Sequence, residues 1–149
     1  MPLQAGAQLT EVAFHFNVQV KVGYACRLLR KAHAQGSSIF VLAEPDMINE
    51  LEAALWTLTP DSFVPHCLSD APPYVTARTP ILIGSSLPDE QHASMLLNLQ
   101  REWIEGWDRF EKVFEVVTLD DSDRQAARDR LRRYRVQGAD PVWHEIKPT

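Results

Sequence analysis

Apolar residues recur along this chain with two different periods, and the period changes several times. Residues 12–16 alternate in the manner of a half-buried strand. Over residues 22–32 the apolar residues instead follow helical spacing, with basic residues on the other side and Gly36 as a C-terminal cap. A strand followed by an amphipathic helix is typical of α/β proteins.

Further apolar runs and helical patterns continue this alternation. The runs are short and almost wholly apolar, as in strands covered on both faces, and they lie at residues 38–43, 80–84, 95–99 and 113–119. One helical pattern starts at an Asp46 N-cap and has an apolar face of Ile48, Leu51, Leu55 and Leu58. The last helix opens with a capping box of Ser122 and Gln125 and ends before Gly138. We therefore expect a single α/β domain with a mostly parallel sheet flanked by helices.

Three segments interrupt these elements. Prolines and turn residues cluster at residues 59–80 and 84–92. We interpret both as loops within one domain, because neither flank is long enough to fold alone. Residues 102–110 carry Trp103, Trp107 and Phe110 at helical spacing, but their structure stays ambiguous.

Length and composition agree with one domain in a reducing compartment. The chain has 149 residues, of which 45% are hydrophobic, which is enough for one core and too few for two. No apolar run reaches the ~18–20 residues of a membrane helix, and the first residues lack a signal-peptide pattern. Two cysteines make no disulfide framework. We expect a cytoplasmic protein that does not bind membranes.

Signatures of catalysis, cofactor binding and metal binding are missing from the sequence. A phosphate-binding loop needs clustered glycines, and no two of the six glycines lie within a dozen residues of each other. The five histidines are scattered, and neither Cys-x-x-Cys nor a nucleophile elbow occurs. We therefore expect no cofactor, no metal and no catalytic residue, although an orphan nucleotide-binding protein stays open as an alternative.

Positive charge is concentrated in the last predicted helix, although the whole chain has a net charge of −5. Four arginines fall along one helical stripe, at Arg124, Arg128, Arg132 and Arg135. Leu131 and Tyr134 lie beside that stripe. The pattern fits either a solvated helix face or a site for an acidic ligand with an apolar end, because arginine presents a planar fork to carboxylates. Direct binding of single-stranded DNA is a weaker alternative, since the acidic chain shows no basic groove.

A second unusual segment lies after the second predicted helix. Phe63 and Val64 stand in a proline-bounded loop, between Pro60 and Pro65, and Trp56 precedes it. Large apolar groups at a surface often mark a protein interface. The segment fits such an interface and equally a loop that covers the end of the sheet.

These two segments resemble the chi subunit family of the bacterial DNA polymerase III holoenzyme. The first match is the helix end at residues 51–56 followed by Asp-Ser-Phe-Val-Pro-His at residues 61–66. The second is Asp121-Ser122, then Arg124-Gln125-x-Ala127-Arg128, then Tyr134-Arg135-Val136-x-Gly138. The resemblance spans about residues 12–138. It leaves residues 1–11 as an N-terminal extension before a chi-like α/β domain at residues 12–149.

The resemblance implies a fold like that of nucleotide-binding domains but without a phosphate loop, and a non-catalytic role in DNA replication. Family members bridge the clamp loader, through its psi subunit, to the acidic C-terminal tail of single-stranded DNA-binding protein. Some also pair with a helicase-like repair protein through the psi-facing surface, and DNA is contacted only indirectly. The implied psi-facing residues are Trp56, Phe63, Val64 and Pro65. The implied tail contacts are Arg128, helped by Arg124 and Arg132, with Val117 and Leu131 as walls of a pocket for the last aromatic residue of the tail.

Overall fold

Strands and helices alternate along the chain, as the hydrophobic pattern predicts. The computed structural model describes residues 9–57, 64–89 and 93–147. Its strands are β1 (Glu11–Val18), β2 (Ile39–Leu42), β3 (His66–Leu68), β4 (Ile81–Gly84), β5 (Met95–Asn98), β6 (Lys112–Thr118) and β7 (Val142–Glu145). Its helices are α1 (Lys21–Ala34), α2 (Pro45–Trp56), α3 (Pro73–Thr76) and α4 (Asp121–Val136).

The seven strands form one sheet in the order β3-β4-β2-β5-β6-β1-β7. Every strand pair is parallel, which confirms the predicted α/β class. Parallel strands need crossover connections. The helices α1, α2, α3 and α4 lie in four of the connections, whereas the connection from β5 to β6 holds the 3-10 turn at Trp107–Arg109. The order places β3 at one edge of the sheet and β7 at the other.

Helices cover both faces of the sheet, and each face has its own apolar cluster. α1 and α2 bury Leu29, Leu51 and Leu55 on one face. On the other face, α4 and a 3-10 turn at Trp107–Arg109 pack around Phe14 and Tyr134. Alternation along the central strands divides their side chains between the two clusters.

Two predicted helix caps differ from the structure. α2 begins at Pro45, with Glu44 at the N-cap position and Asp46 in the first turn. Proline at the first helical position suits a helix start without a side-chain cap. α4 is capped by Asp120, whose carboxylate accepts a hydrogen bond from the Asp123 N–H at 3.1 Å, so Ser122 lies inside the helix.

The sequence pattern did not predict three of the short elements. β3 and α3 lie within the segment predicted as a loop, and they are three and four residues long. All four residues of β7 are exposed, so they form no apolar run. β7 nevertheless pairs with β1 from Ala13 to Phe16. A short or edge strand is defined by its neighbour in the sheet, and its own sequence carries little signal.

Some predictions fall outside the described residues. These are the positions of Leu58 and Phe63 and most of the predicted N-terminal extension. β1 begins at Glu11, the last residue assigned to that extension. The Thr10 hydroxyl already donates a hydrogen bond to the Phe110 carbonyl at 2.6 Å.

Candidate protein-binding surfaces

The arginine-bearing helix α4 is fixed to the sheet by a buried polar network. Glu115 on β6 is fully buried, and its Oε1 atom lies 3.1 Å from Nε and 3.0 Å from the terminal nitrogen of Arg130. Asn98 donates to the same carboxylate at 2.8 Å, and the Tyr134 hydroxyl donates at 2.7 Å. Burial, followed by the Glu115 charge, raises the pKa of Tyr134. The network thus holds α4 in one register on the sheet.

A second polar anchor holds the N-terminal end of α4. The backbone N–H and the hydroxyl of Thr118 donate to Asp123 at 2.8 and 2.9 Å. The Lys21 ammonium and the Arg101 guanidinium lie 3.3 and 3.5 Å from the other carboxylate oxygen. Burial alone would raise the pKa of Asp123, but the Thr118 hydrogen bonds and the Lys21 charge outweigh it and lower that pKa.

We expect Asp123→Asn to lower the free energy of unfolding at pH 7 by about 1–3 kcal/mol, because the buried ion pair with Lys21 is lost. Since the folded pKa is depressed, the wild-type carboxylate stabilises above its ordinary pKa of about 4 and loses this effect as the pH falls through the lower folded value. The difference between the two proteins should therefore shrink in acid. Urea unfolding from pH 7 to pH 3 measures this. Asp121→Asn, an exposed change in the same helical turn, is the control, and an equal loss in both variants would contradict the assignment.

The arginines of α4 are not equivalent, although the sequence shows six of them close together. Arg130 is buried, and Arg133 lies over the Trp103 ring at 4.7 Å. Arg124 is half-buried and donates to the Asn17 side chain at 2.9 Å. Arg132 is exposed and pairs with Asp129. The predicted stripe is therefore only partly a free cationic surface.

Two exposed arginines of the stripe, Arg128 and Arg135, form no ion pair with any described residue. Arg128 is the one that stands between Arg124 and Arg132. Its side chain is exposed and donates to the neutral Gln125 amide at 3.3 Å. Within residues 9–57, 64–89 and 93–147, no carboxylate pairs with it. An exposed guanidinium without a carboxylate partner keeps its donors available for an external anion.

The two predicted pocket walls lie where α4 packs on the sheet, Val117 on β6 and Leu131 on the buried side of α4. Val117 is 2% exposed and Leu131 is 9% exposed, and both belong to the apolar cluster on this face of the sheet. In this structure Val117 supplies packing and no open surface. Only a small part of the Leu131 side chain is exposed, next to Arg128.

Two aromatic residues that the sequence analysis did not select lie on the same face of the sheet. Phe16 on β1 packs against the cluster that contains Leu131. Trp143 on β7 is 40% exposed and contacts both Phe14 and Phe16, with ring centroids 5.1 and 5.3 Å apart. The alternation of β1 places Phe14 and Phe16 on one face, but only the pairing of β7 brings Trp143 beside them.

The other predicted surface lies near the opposite edge of the sheet. Trp56 is the last residue of α2, is 64% exposed, and packs edge-on against His66 of β3. Pro65 is half-buried. Val64 is completely buried in the α1–α2 cluster, so its side chain offers no surface to a partner. Phe63 lies outside the described residues.

Comparison with known proteins identifies the family of this chain. The family model of the DNA polymerase III chi subunit, HolC, matches residues 9–141, which is most of the chain. The chain belongs to the DNA polymerase III chi subunit family. The predicted resemblance is thereby confirmed, and with it a place among the subunits of a DNA replication polymerase.

Curated chi subunits support this assignment. The subunit of Pseudomonas aeruginosa is 36% identical over 115 residues, covering 76% of this chain and 78% of the relative. The subunit of Haemophilus influenzae is 30% identical over 116 residues, with coverage of 76% and 79%. The subunit of Escherichia coli is 28% identical over 117 residues, with coverage of 76% and 77%.

A solved structure with the same fold is the C-terminal domain of the DEAD-box protein Dbp5. It aligns with a TM-score of 0.58 over 93% of this chain and 92% of that domain, at 13% identity. Such low identity shows the fold alone. In this chi-family chain, only Gln19 and Val20 connect β1 to α1. A phosphate cradle at a strand–helix junction is a longer, glycine-rich loop, so this two-residue connection does not form one.

Two features are absent from the residues that the structure describes. No helix among them is long and apolar enough to cross a bilayer. No group of three or more histidine, cysteine, aspartate or glutamate side chains within the same residues is arranged to hold a metal ion.

Proposed function

We propose that this chi-family protein is a non-catalytic recruitment subunit of the replicase in the cytoplasm. It connects the clamp loader, through psi, to the acidic C-terminal tail of single-stranded DNA-binding protein. The observation that carries this proposal is the exposed, carboxylate-free guanidinium of Arg128 on a rigidly anchored helix. Family membership supplies the context in which an acidic partner tail is expected.

The charge of the α4 surface suits the end of an acidic peptide. Arg128 stands between Arg124 and Arg132 on one stripe of the helix, so several carboxylates of a peptide have a cation within reach. Arg128 supplies the main charge-assisted hydrogen bonds. Arg132 is exposed and shared with Asp129, so its contribution is mainly to the encounter rate and the salt dependence.

An apolar surface lies close enough to receive an aromatic residue at the end of such a tail. The exposed margin of Leu131 is next to Arg128, and Phe16 and Trp143 extend the apolar area toward β7. An aromatic anchor beside a charged contact is a common arrangement at interface hot spots. We therefore assign Phe16 and Trp143 to the proposed tail surface, together with Leu131 and the packing support of Val117.

The two proposed surfaces are separate, as a bridging role requires. Trp56 contacts β3 at one edge of the sheet, whereas α4 packs on β6, and three strands lie between β3 and β6. At a strand spacing of ~4.8 Å, this separation is roughly 19 Å. A partner on one surface therefore leaves the other surface accessible.

The tail interaction is tested by titrating a fluorescent peptide, copied from the acidic C-terminus of single-stranded DNA-binding protein, into the full chain. We expect saturable one-to-one binding that weakens as salt is added. The control peptide has the same composition but an internal aromatic residue and an amidated end, and it should bind at least tenfold more weakly. A naked oligonucleotide should not compete. Equal binding of the two peptides, or efficient competition by the oligonucleotide, would overturn the proposal.

The psi-facing surface has its own prediction. Trp56→Ala should weaken psi binding by about ten- to a hundredfold, because a largely exposed tryptophan is a typical interface anchor. Co-purification with psi and calorimetry measure the loss. The same variant should retain wild-type affinity for the tail peptide, and psi binding equal to that of wild type would remove Trp56 from the interface.

A further inference from the structure

A cavity of about 670 Å³ lies on the face of the sheet opposite α4. It is bounded by α1 from Tyr24 onward, by β1, β5 and β6, and by the edge strand β7. Its volume is within the usual range of small-molecule sites, ~300–1,000 Å³. Neither of the two proposed protein surfaces uses it.

Three cations line this cavity. Arg27 and Lys31 come from α1, and Lys112 comes from the start of β6. None of them forms an ion pair with any residue that the structure describes. The carboxylate in the lining is Glu145, which accepts a hydrogen bond from Asn17 at 3.1 Å. The cavity therefore carries an excess of positive charge at neutral pH.

Two histidines, His15 and His144, line the cavity, and burial together with the nearby positive charge affects His15. His15 pairs with the Tyr24 hydroxyl and lies 5.2 Å from the His144 ring. Burial, followed by the positive fields of His144, Lys112 and Lys31, lowers the pKa of His15 to about 4. His15 is therefore neutral at pH 7, and the charge of the cavity comes from the arginine and the two lysines.

The remaining lining is apolar and aromatic. Phe114 and Met95 rise from the sheet, and Leu28 faces them from α1. Lys112 lies 4.9 Å from the centre of the Phe114 ring, and Arg27 lies 5.7 Å from that of Tyr24. Both cations are therefore held close to the apolar lining by the attraction of the ring faces, so the cavity combines a hydrophobic floor with a cationic rim.

We propose that this cavity binds a small amphiphilic anion, with an aromatic body on the Phe114 side and a sulfonate, carboxylate or phosphate group at Lys31, Lys112 and Arg27. The aromatic body replaces water on the apolar floor. The acidic group supplies the negative charge that the three cations lack. A neutral aromatic compound or a bare inorganic anion meets only half of these requirements.

The test is calorimetric titration of the full chain with naphthalene-2-sulfonate and with phenyl phosphate. We expect saturable binding of one molecule of each. Inorganic phosphate and naphthalene-2-methanol should bind at least tenfold more weakly. No saturable binding of either aromatic anion, or equal binding of the neutral alcohol, would overturn the proposal.

Variants locate the binding. The double change Lys31→Gln and Lys112→Gln should weaken binding of naphthalene-2-sulfonate at least tenfold. Arg30→Gln, an exposed change on the same helix that does not line the cavity, should leave it unchanged. Circular dichroism and the melting temperature show that each variant is folded.

Arg128→Ala separates this cavity from the proposed tail surface, which also accepts an aromatic anion. Binding of naphthalene-2-sulfonate should survive this change. Loss of binding in Arg128→Ala together with full binding in the double lysine variant would contradict the cavity assignment.

Discussion

Arg128→Ala should weaken binding of the tail peptide by about ten- to a hundredfold while leaving the melting temperature unchanged. A charge-assisted hydrogen bond contributes about 1.5–3 kcal/mol, and each 1.4 kcal/mol is a factor of ten in affinity. The side chain is exposed and donates only to Gln125 in the described structure, so its removal leaves no buried group unpaired. Fluorescence anisotropy with the labelled peptide measures the affinity.

Two matched variants test whether the loss of affinity is specific to the position and the planar group of Arg128. Arg30→Ala removes the same charge from α1 on the other face of the sheet, so it should reduce affinity less than twofold. Arg128→Lys keeps the charge but loses the planar fork, and it should lie between alanine and wild type. If Arg30→Ala and Arg128→Ala weaken binding equally, the peptide responds to net charge alone and the α4 site is excluded.

Glu115→Ala should lower the free energy of unfolding by about 3–5 kcal/mol, the usual cost of removing one partner of a buried ion pair. The change leaves the Arg130 guanidinium buried without its carboxylate, and the donors of Asn98 and Tyr134 lose their acceptor. Urea unfolding at pH 7 measures the effect. Should Glu115→Ala be too unstable to purify, Glu115→Gln keeps the shape of the side chain and should still lose about 2 kcal/mol or more.

The control for this network is Glu111→Ala, an exposed change just before β6 that should cost less than about 0.5 kcal/mol. The double change Glu115→Leu and Arg130→Met should be more stable than Glu115→Ala, because it removes both buried charges together. The loss of unfolding free energy in the double variant is compared with the sum of the losses in Glu115→Leu and Arg130→Met alone. If the two values are equal, the carboxylate and the guanidinium do not stabilise each other.

The helices and central strands were predictable because their buried positions are apolar and recur at a regular local spacing in the sequence. The runs that became β2 and β4 are apolar at every position but the final glycine of β4, since helices cover both faces of the sheet there. The helix ends before Gly36 and Gly138 were also predictable, because glycine is the usual residue where the backbone adopts positive φ after a helix. By contrast, β7 pairs along an edge with all its residues exposed, and no local signal marks such a strand.

The candidate site was likewise predictable from the sequence only in part. The sequence by itself determined the family, the parallel α/β class and the charge stripe of α4, because each depends on residue types at fixed local spacing. Only the tertiary structure decided which arginines of α4 are buried, which are engaged by neighbouring side chains and which stay exposed. Packing on β6 takes Arg130 into the core, Asn17 engages Arg124, and Arg128 stays exposed. The pairing of β7 with β1 likewise brings Trp143 beside Phe16 and closes the cationic cavity under α1. These contacts join residues far apart in the chain, and helical or strand periodicity carries no information about them.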